Sequence, residues 1–190
     1  SRNVIAEIKG TEKPEEIVVF GGHIDAWGGG QGAMDDGGGT FTSWEALRII
    51  KKLGLKPKRT MRVVFWTNEE NGVKGGSQYA LNRAETIQNH VLAIESDAGN
   101  FKPEGFEVKG SDSTKALAMA IATLLKPLGA DHVVDDGGGA DIGAILEKGI
   151  PGMELIVESS KYFWYHHTEA DTMDKLNPNE LNECAAAMAI

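Results

Sequence analysis

The sequence predicts an α/β fold, a three-layer sandwich in which helices flank a central mixed, mostly parallel sheet. Short apolar runs typical of buried strands alternate along the 190 residues with longer segments of helical periodicity. Most of these runs stop abruptly at glycine or polar residues, as strands do at the ligand-binding edge of an open α/β sheet. Hydrophobic residues make up 41% and charged residues 25% of the chain, which is ordinary for a globular domain.

The predicted strands are short segments of alternating or continuous apolar character. Alternation predicts a strand over residues 3–8, and a dense apolar run predicts a buried strand over residues 17–20. We expect this first hairpin to give the sheet an antiparallel edge. The same patterns predict further strands over residues 60–66, 91–95, 132–134 and 153–157.

The predicted helices cover residues 40–53, 76–83, 114–125, 141–148 and 179–190. Pro127 and Gly149 stand just beyond two of them, where helices commonly stop. Connections are short throughout, which favours a single domain over residues 1–190. Because the chain opens on a strand and ends within an apolar helix, we expect a fragment of a longer protein.

Composition excludes several classes of function. The chain has 28 acidic and 19 basic residues, a net charge of −9, and a pI near 5.0, which disfavours nucleic acid and anionic membrane surfaces as partners. No apolar run approaches the roughly 20 residues that cross a bilayer, so membrane insertion is not expected. The single cysteine, Cys184, excludes an internal disulfide framework and a thiolate metal cluster.

Acidic and histidine side chains collect after the predicted strands or in the glycine-rich loop before the first helix. Ligands of open α/β sheets bind beyond the carboxyl ends of the strands, so these residues are expected to meet at one edge. Crowded carboxylates repel one another unless protons or cations compensate them. Nitrogen and oxygen ligands without thiolate suit Zn²⁺, with Mn²⁺ or Co²⁺ as substitutes. The group comprises His23, Asp25, Asp35, Asp36, Glu69, Glu70, Asp97, His166 and His167.

Spacing within the group suggests that its members have different chemical roles. Asp25 follows His23 by two residues and could fix the orientation of its imidazole. The neighbours Glu69 and Glu70 point in different directions from an extended backbone, so one could bind metal while the other acts as a general base. A second glycine cluster, residues 137–139, precedes Asp141 and either shapes the substrate side or is only a turn.

Five blocks between His23 and Thr172 contain these residues: G-G-H-I-D, G-A-M-D-D-G-G-G, W-T-N-E-E-N-G, E-S-D-A-G and Y-H-H-T-E-A-D-T. Together they span most of the chain, and in this order they resemble the M28 family of co-catalytic zinc peptidases. The resemblance implies a zinc-exopeptidase-like fold and a di-zinc metallo-exopeptidase that hydrolyses small peptides or dipeptides by a metal-bridging hydroxide.

The resemblance also implies roles for individual residues. His23 and Asp97 would hold one Zn²⁺, Glu70 and His167 would hold the other, and Asp35 would bridge the two. Glu69 would be the general base, and Asp25 would orient His23. His166 would contact the oxyanion or the substrate. Apart from the resemblance, we expect Asp171 and Thr172 to anchor their loop rather than to take part in the chemistry.

One subgroup of the family, which acts on small unblocked peptides, is the most similar. Two stretches match it best, G-Q-G-A-M-D-D-G-G-G and K-Y-F-W-Y-H-H. The resemblance implies a further domain amino-terminal to this one, export to a secreted or periplasmic location, and a homodimer.

Three alternatives stay open at this stage. The first is an amidase or glutaminyl-cyclase-like reaction at the same site. The second is a non-catalytic receptor-type ectodomain of the same fold, although such proteins lose ligand residues and all are present here. The third is a glycine-rich phosphate-binding protein, which is disfavoured because no phosphate-binding glycine motif follows a strand and the surroundings are acidic.

Overall fold

The computed structural model describes residues 1–190 and shows a seven-stranded mixed sheet with helices on both faces. The order of strands across the sheet is β1-β3-β2-β4-β7-β5-β6. The predicted α/β class is therefore confirmed. The strands are β1 (Val4–Ile8), β2 (Lys13–His23), β3 (Arg59–Trp66), β4 (His90–Glu95), β5 (Pro103–Lys109), β6 (His132–Val134) and β7 (Gly152–Val157).

The middle of the sheet is parallel and its edges are mixed. Strands β3, β2, β4 and β7 run parallel to one another, whereas β1 is antiparallel to β3 and β5 is antiparallel to β7. The expected antiparallel edge is present, but the expected hairpin is wrong. Because β2 lies between β3 and β4, β1 pairs with β3 instead, with Val4 opposite Phe65.

Strand β5 was not predicted from the sequence. Its segment, PEGFEVK, contains a proline and a glycine, both depleted in strands. The alternation of apolar and polar residues along the strand is nevertheless real, because Phe106 and Val108 are buried. The strand lies between β7 and β6.

The helices are α1 (Gly38–Lys52), α2 (Lys74–Asn82), α3 (Asp112–Ala122), α4 (Gly143–Leu146) and α5 (Pro178–Ala189). The helix predicted over residues 114–125 ends early, because a 3₁₀ segment, Thr123–Leu128, takes over and contains Pro127. The helix predicted over residues 141–148 is reduced to the four residues of α4. No helix combines the length and the apolar composition that crossing a membrane requires.

Two apolar clusters lie on opposite faces of the sheet. Phe20 of β2 packs in the cluster that includes Leu47 of α1 and Cys184 of α5. Its neighbour Val19 points to the other face and packs in the cluster that includes Tyr79 of α2. This alternation along β2 produces the three layers and leaves the carboxyl ends of the central strands free for a site.

Candidate metal centre

The candidate site lies at the carboxyl ends of the neighbouring strands β3, β2 and β4. His23 is the last residue of β2, Glu69 and Glu70 follow β3, and Asp97 follows β4 by two residues. Because β2 lies between the other two strands, His23 stands between the side chains that follow them.

His23 is buried and faces two carboxylates with one ring nitrogen. Its Nε2 lies 3.1 Å from Asp35 Oδ1 and 3.3 Å from Asp97 Oδ1. On the other side of the ring, Nδ1–H donates to the main-chain oxygen of Asp25 at 2.9 Å. This hydrogen bond leaves Nε2 as the atom available to a ligand in the neutral imidazole.

Asp35 occupies the centre of the site. It lies in the segment Ala33–Gly37 that precedes α1, and its own backbone there is not helical, with φ −129° and ψ 89°. Its Oδ1 faces His23, whereas its Oδ2 lies 3.3 Å from Nε2 of His167 and 3.5 Å from Nε2 of His166. The two oxygens of this one carboxylate therefore face different groups of ligands.

Glu70 and His167 complete the second group. His167 Nε2 lies 2.9 Å from Glu70 Oε2. The ligand atoms of His23, Asp35 and Glu70 lie within 4.8 Å of one another, and so do those of Asp35, His166 and His167. The five predicted metal ligands thus meet at one place, with His166 beside them.

Asp25 and Glu69 are connected through the main chain. The Asp25 carboxylate accepts a hydrogen bond from the Glu69 N–H at 3.0 Å, and its Oδ1 lies 3.9 Å from His23 Nδ1. The orienting hydrogen bond to His23 thus comes from the Asp25 main chain, and the Asp25 carboxylate instead fixes the loop that holds Glu69.

Asp36 differs from Asp35 in its surroundings. Its side chain is buried and accepts hydrogen bonds from the His23 N–H at 3.0 Å and from the Gly39 N–H at 3.1 Å. Its ligand atom also lies within 4.8 Å of those of His23 and Asp97. Because both its oxygens already accept hydrogen bonds, Asp36 mainly joins the end of β2 to the start of α1.

The residues present fit divalent cations. Asp35 Oδ2, Glu70 Oε1 and Asp97 Oδ1 are buried and have no hydrogen-bond partner. Burying a carboxylate oxygen without a partner costs free energy, and a coordinated cation would remove that cost. The donor atoms are imidazole nitrogens and carboxylate oxygens, the combination that suits Zn²⁺.

The site is electrostatically strained in the absence of cations. Burial opposes protonation of His23, but its hydrogen bond with Asp35 and the nearby negative charge of Asp97 outweigh burial and raise its pKa. Burial also raises the pKa of Glu69, and the neighbouring carboxylates of Asp97 and Glu70 raise it further. These shifts express an excess of negative charge that a cation would relieve.

Three further residues belong to the surroundings of the site. Asp171 is buried and accepts hydrogen bonds from the N–H groups of Met34 at 2.6 Å and Asp35 at 3.1 Å, in agreement with its expected anchoring role. Asp141 is buried with both carboxylate oxygens unpaired, and burial followed by the charge of Asp97 raises its pKa to about 8.

Trp27 is the third residue of these surroundings, and it was not identified from the sequence. Its indole stacks on the His167 ring, with centroids 4.7 Å apart and planes at 16°. The only signal for it in the sequence is a tryptophan two residues after Asp25, directly before a run of three glycines.

The family model of peptidase family M28 matches residues 3–190. The chain therefore belongs to peptidase family M28, which confirms the resemblance seen in the five sequence blocks.

The chain is also similar to curated relatives. Carboxypeptidase Q of Homo sapiens is 46% identical over 190 residues, which are 100% of this chain and 40% of the human protein. The chain thus spans 40% of the length of that relative.

Solved structures agree with the fold. A Peptidase M28 precursor from Shewanella amazonensis SB2B has a TM-score of 0.94 and 38% identity, covering 98% of this chain and 42% of that one. BSAP, a zinc aminopeptidase from Bacillus subtilis, has a TM-score of 0.79, covering 98% of this chain and 48% of that one. At 21% identity the second likeness concerns the fold alone.

Proposed function

We propose that this chain is the catalytic part of a di-zinc metallo-exopeptidase that hydrolyses small peptides or dipeptides. One observation supports the proposal most strongly: the two oxygens of Asp35 face different ligand groups, His23 with Asp97 on one side and His167 with Glu70 on the other. A carboxylate placed in this way suits a bridge between two cations about 3.5–4 Å apart. Family membership and the zinc named for the Bacillus subtilis relative support the choice of metal.

His23 and Asp97 would hold one zinc ion and Glu70 and His167 the other. Bound zinc would supply Lewis-acid activation of the scissile carbonyl and of the attacking water. The protein's own contribution to that chemistry is orientation. The Asp25 main-chain oxygen fixes the His23 ring, and Asp171 fixes the turn that presents Asp35.

Glu69 would move the proton. It directly precedes Glu70, its main chain is held by the Asp25 carboxylate, and its side chain is partly buried. One of its carboxylate oxygens would take the proton of the attacking water and deliver it to the nitrogen of the leaving amine. Because its neighbour Glu70 would hold a zinc ion, Glu69 would be the member of the pair that is free to transfer a proton.

The test is the Glu69→Gln variant of the zinc-loaded protein. We expect turnover of a dipeptide panel to fall about 100- to 10,000-fold, because a general base is lost, while zinc content stays at the wild-type value. Glu147→Gln, an exposed carboxylate remote from the site, is the matched control and should leave both unchanged. Activity of Glu69→Gln near the wild-type value would reject the assigned role.

A substrate panel separates the reactions that this site could perform. Free dipeptides, amino-blocked peptides, carboxyl-amidated peptides and amino-terminal glutaminyl peptides should be compared at equal concentration. The proposal requires hydrolysis of free dipeptides with new amine release. Release of ammonia with ring closure from glutaminyl peptides, without peptide-bond cleavage, would favour a glutaminyl-cyclase-like enzyme, and ammonia from amidated peptides alone would favour an amidase.

A further inference from the structure

The ring of His167 lies in an aromatic stack. Trp27 stacks on it with centroids 4.7 Å apart and planes at 16°, and His166 stacks on it at 3.7 Å and 19°. The Trp27 and His166 rings form no aromatic pair with each other, so they lie on opposite faces of the His167 ring. The imidazole is thus sandwiched between two planar groups.

His167 needs external support more than the other candidate ligands. Its side chain is 37% exposed, whereas that of His23 is 1% exposed and that of Glu70 is 2% exposed. Its backbone φ is 60°, a left-handed conformation that is uncommon for residues other than glycine. A partly exposed imidazole on such a backbone would sample several rotamers unless its faces are occupied.

The loop that carries Trp27 is tied to the loop that carries His167. The Gln31 N–H donates to the Asp171 main-chain oxygen at 2.7 Å, and the Gln31 side chain accepts from the Met173 N–H at 3.1 Å. These two hydrogen bonds fix the loop of Trp27 against the loop of His167.

We propose that Trp27 is a positioning residue, which holds the His167 imidazole by stacking so that Nε2 faces Glu70 and Asp35. The inference rests on the proposed function for the identity of the ligand, a zinc ion held by Glu70 and His167. It predicts that mutation of Trp27 affects the two zinc ions unequally, because Trp27 stacks on His167, which would hold only one of them.

The experiment compares Trp27→Ala, Trp27→Phe and Trp164→Ala in the purified protein. Trp164 is the matched control, an exposed tryptophan near the same site that stacks on neither histidine. Stepwise zinc affinities are measured by competition with a chelator, and the His167 ring protons are followed by NMR with and without zinc. Thermal unfolding of each variant reports whether it is folded.

We expect Trp27→Ala to lower the affinity for the zinc ion held by Glu70 and His167 about 10- to 100-fold, as loss of a supporting contact to a metal-bound histidine typically does. The affinity for the ion held by His23 and Asp97 should not change. Its His167 ring protons should lose the ring-current shift of the indole. Trp27→Phe should restore most of the affinity, and Trp164→Ala should match the wild type.

Three results would overturn the inference. If Trp27→Ala binds each of the two ions with the same affinity as the wild type, the stack does not position His167. A loss of both ions to the same extent, or no recovery in Trp27→Phe, would indicate a general structural role instead. Failure of the wild type to bind a second ion would reject the di-zinc proposal itself, and is distinguished because it occurs without any mutation.

Discussion

At the residue scale, the site depends on buried carboxylates that do not face its centre. Asp171 lies 136 residues beyond Asp35 in the sequence, yet its side chain accepts hydrogen bonds from the N–H groups of Met34 and Asp35. Two charge-assisted hydrogen bonds to adjacent amides fix the direction of the turn. The direction in which the Asp35 carboxylate points is therefore set from a distant loop.

The first prediction concerns this support. Asp171→Asn can accept through only one oxygen, so Asp35 should become less well oriented and zinc affinity should fall about 10-fold or more. Chelator competition measures the affinity, and thermal unfolding checks the fold. Asp174→Asn, an exposed neighbour on the same loop, is the control. Equal zinc affinity in Asp171→Asn and the wild type would contradict the supporting role.

The second prediction concerns pH and His90, at the start of β4. The ring is buried, Nδ1–H donates to the Ile87 oxygen at 3.0 Å, and Nε2 lies 2.8 Å from the Tyr79 hydroxyl. Burial is the main cause that lowers its pKa to about 4 from 6.5. Unfolded His90 therefore takes up a proton at a higher pH than folded His90, so stability should fall as pH falls from about 6.5 to about 4.

The measurement is the free energy of unfolding across this range for wild type and His90→Gln. The wild type should lose up to about 3 kcal/mol more than the variant between pH 6.5 and pH 4, because the variant has no imidazole to protonate. His132→Gln, which removes an exposed histidine, should follow the wild type. Parallel pH profiles for wild type and His90→Gln would contradict the assignment.

At the element scale, the close approach of α1 to the end of β4 requires a residue without a side chain. A Cβ at Gly39 would lie 1.9 Å from the Ser96 main-chain oxygen and 2.3 Å from Asp36 Oδ1. Neither neighbour is free to move, since Ser96 follows β4 and Asp36 holds the end of β2. This contact brings the Asp35 turn against the strand ends.

The third prediction compares Gly39, in the first turn of α1, with Gly28, in the loop between β2 and α1. Gly39→Ala should lower the free energy of unfolding by about 1–3 kcal/mol or prevent folding, because it overpacks a rigid contact. Gly28→Ala should change it by less than about 0.5 kcal/mol, since no atom lies within 4 Å of the added carbon. Urea unfolding measures the free energy of unfolding of both variants. An unchanged value for Gly39→Ala would show that α1 does not approach the end of β4 as closely as described.

Elements with a strong apolar pattern were predictable from the sequence, and those defined by tertiary packing were not. Strands β3, β4 and β7 lie within a residue of their predicted bounds, because buried parallel strands are continuous apolar runs. Strand β5 was missed because Pro103 and Gly105 mask its alternation. The pairing of β1 with β3 follows from the order of the strands across the sheet, and no local sequence pattern specifies that order.

At the scale of the whole molecule, the candidate site joins residues from segments far apart in the chain. Predicting that acids and histidines would meet needed only the rule for strand ends in open α/β sheets. The stack of Trp27 on His167 could not be predicted, because it depends on the packing of two irregular loops against each other. The unpaired state of Asp35 Oδ2, Glu70 Oε1 and Asp97 Oδ1 likewise emerges only in three dimensions.

The most direct test of the central claim is the number of zinc ions bound per chain, measured by native mass spectrometry on the zinc-loaded protein. We predict two ions in the wild type and at most one, weakly held, in Asp35→Asn, because that change weakens the carboxylate shared by both ligand groups. A wild-type protein that binds one ion or none, or an Asp35→Asn protein that keeps both ions, would contradict it.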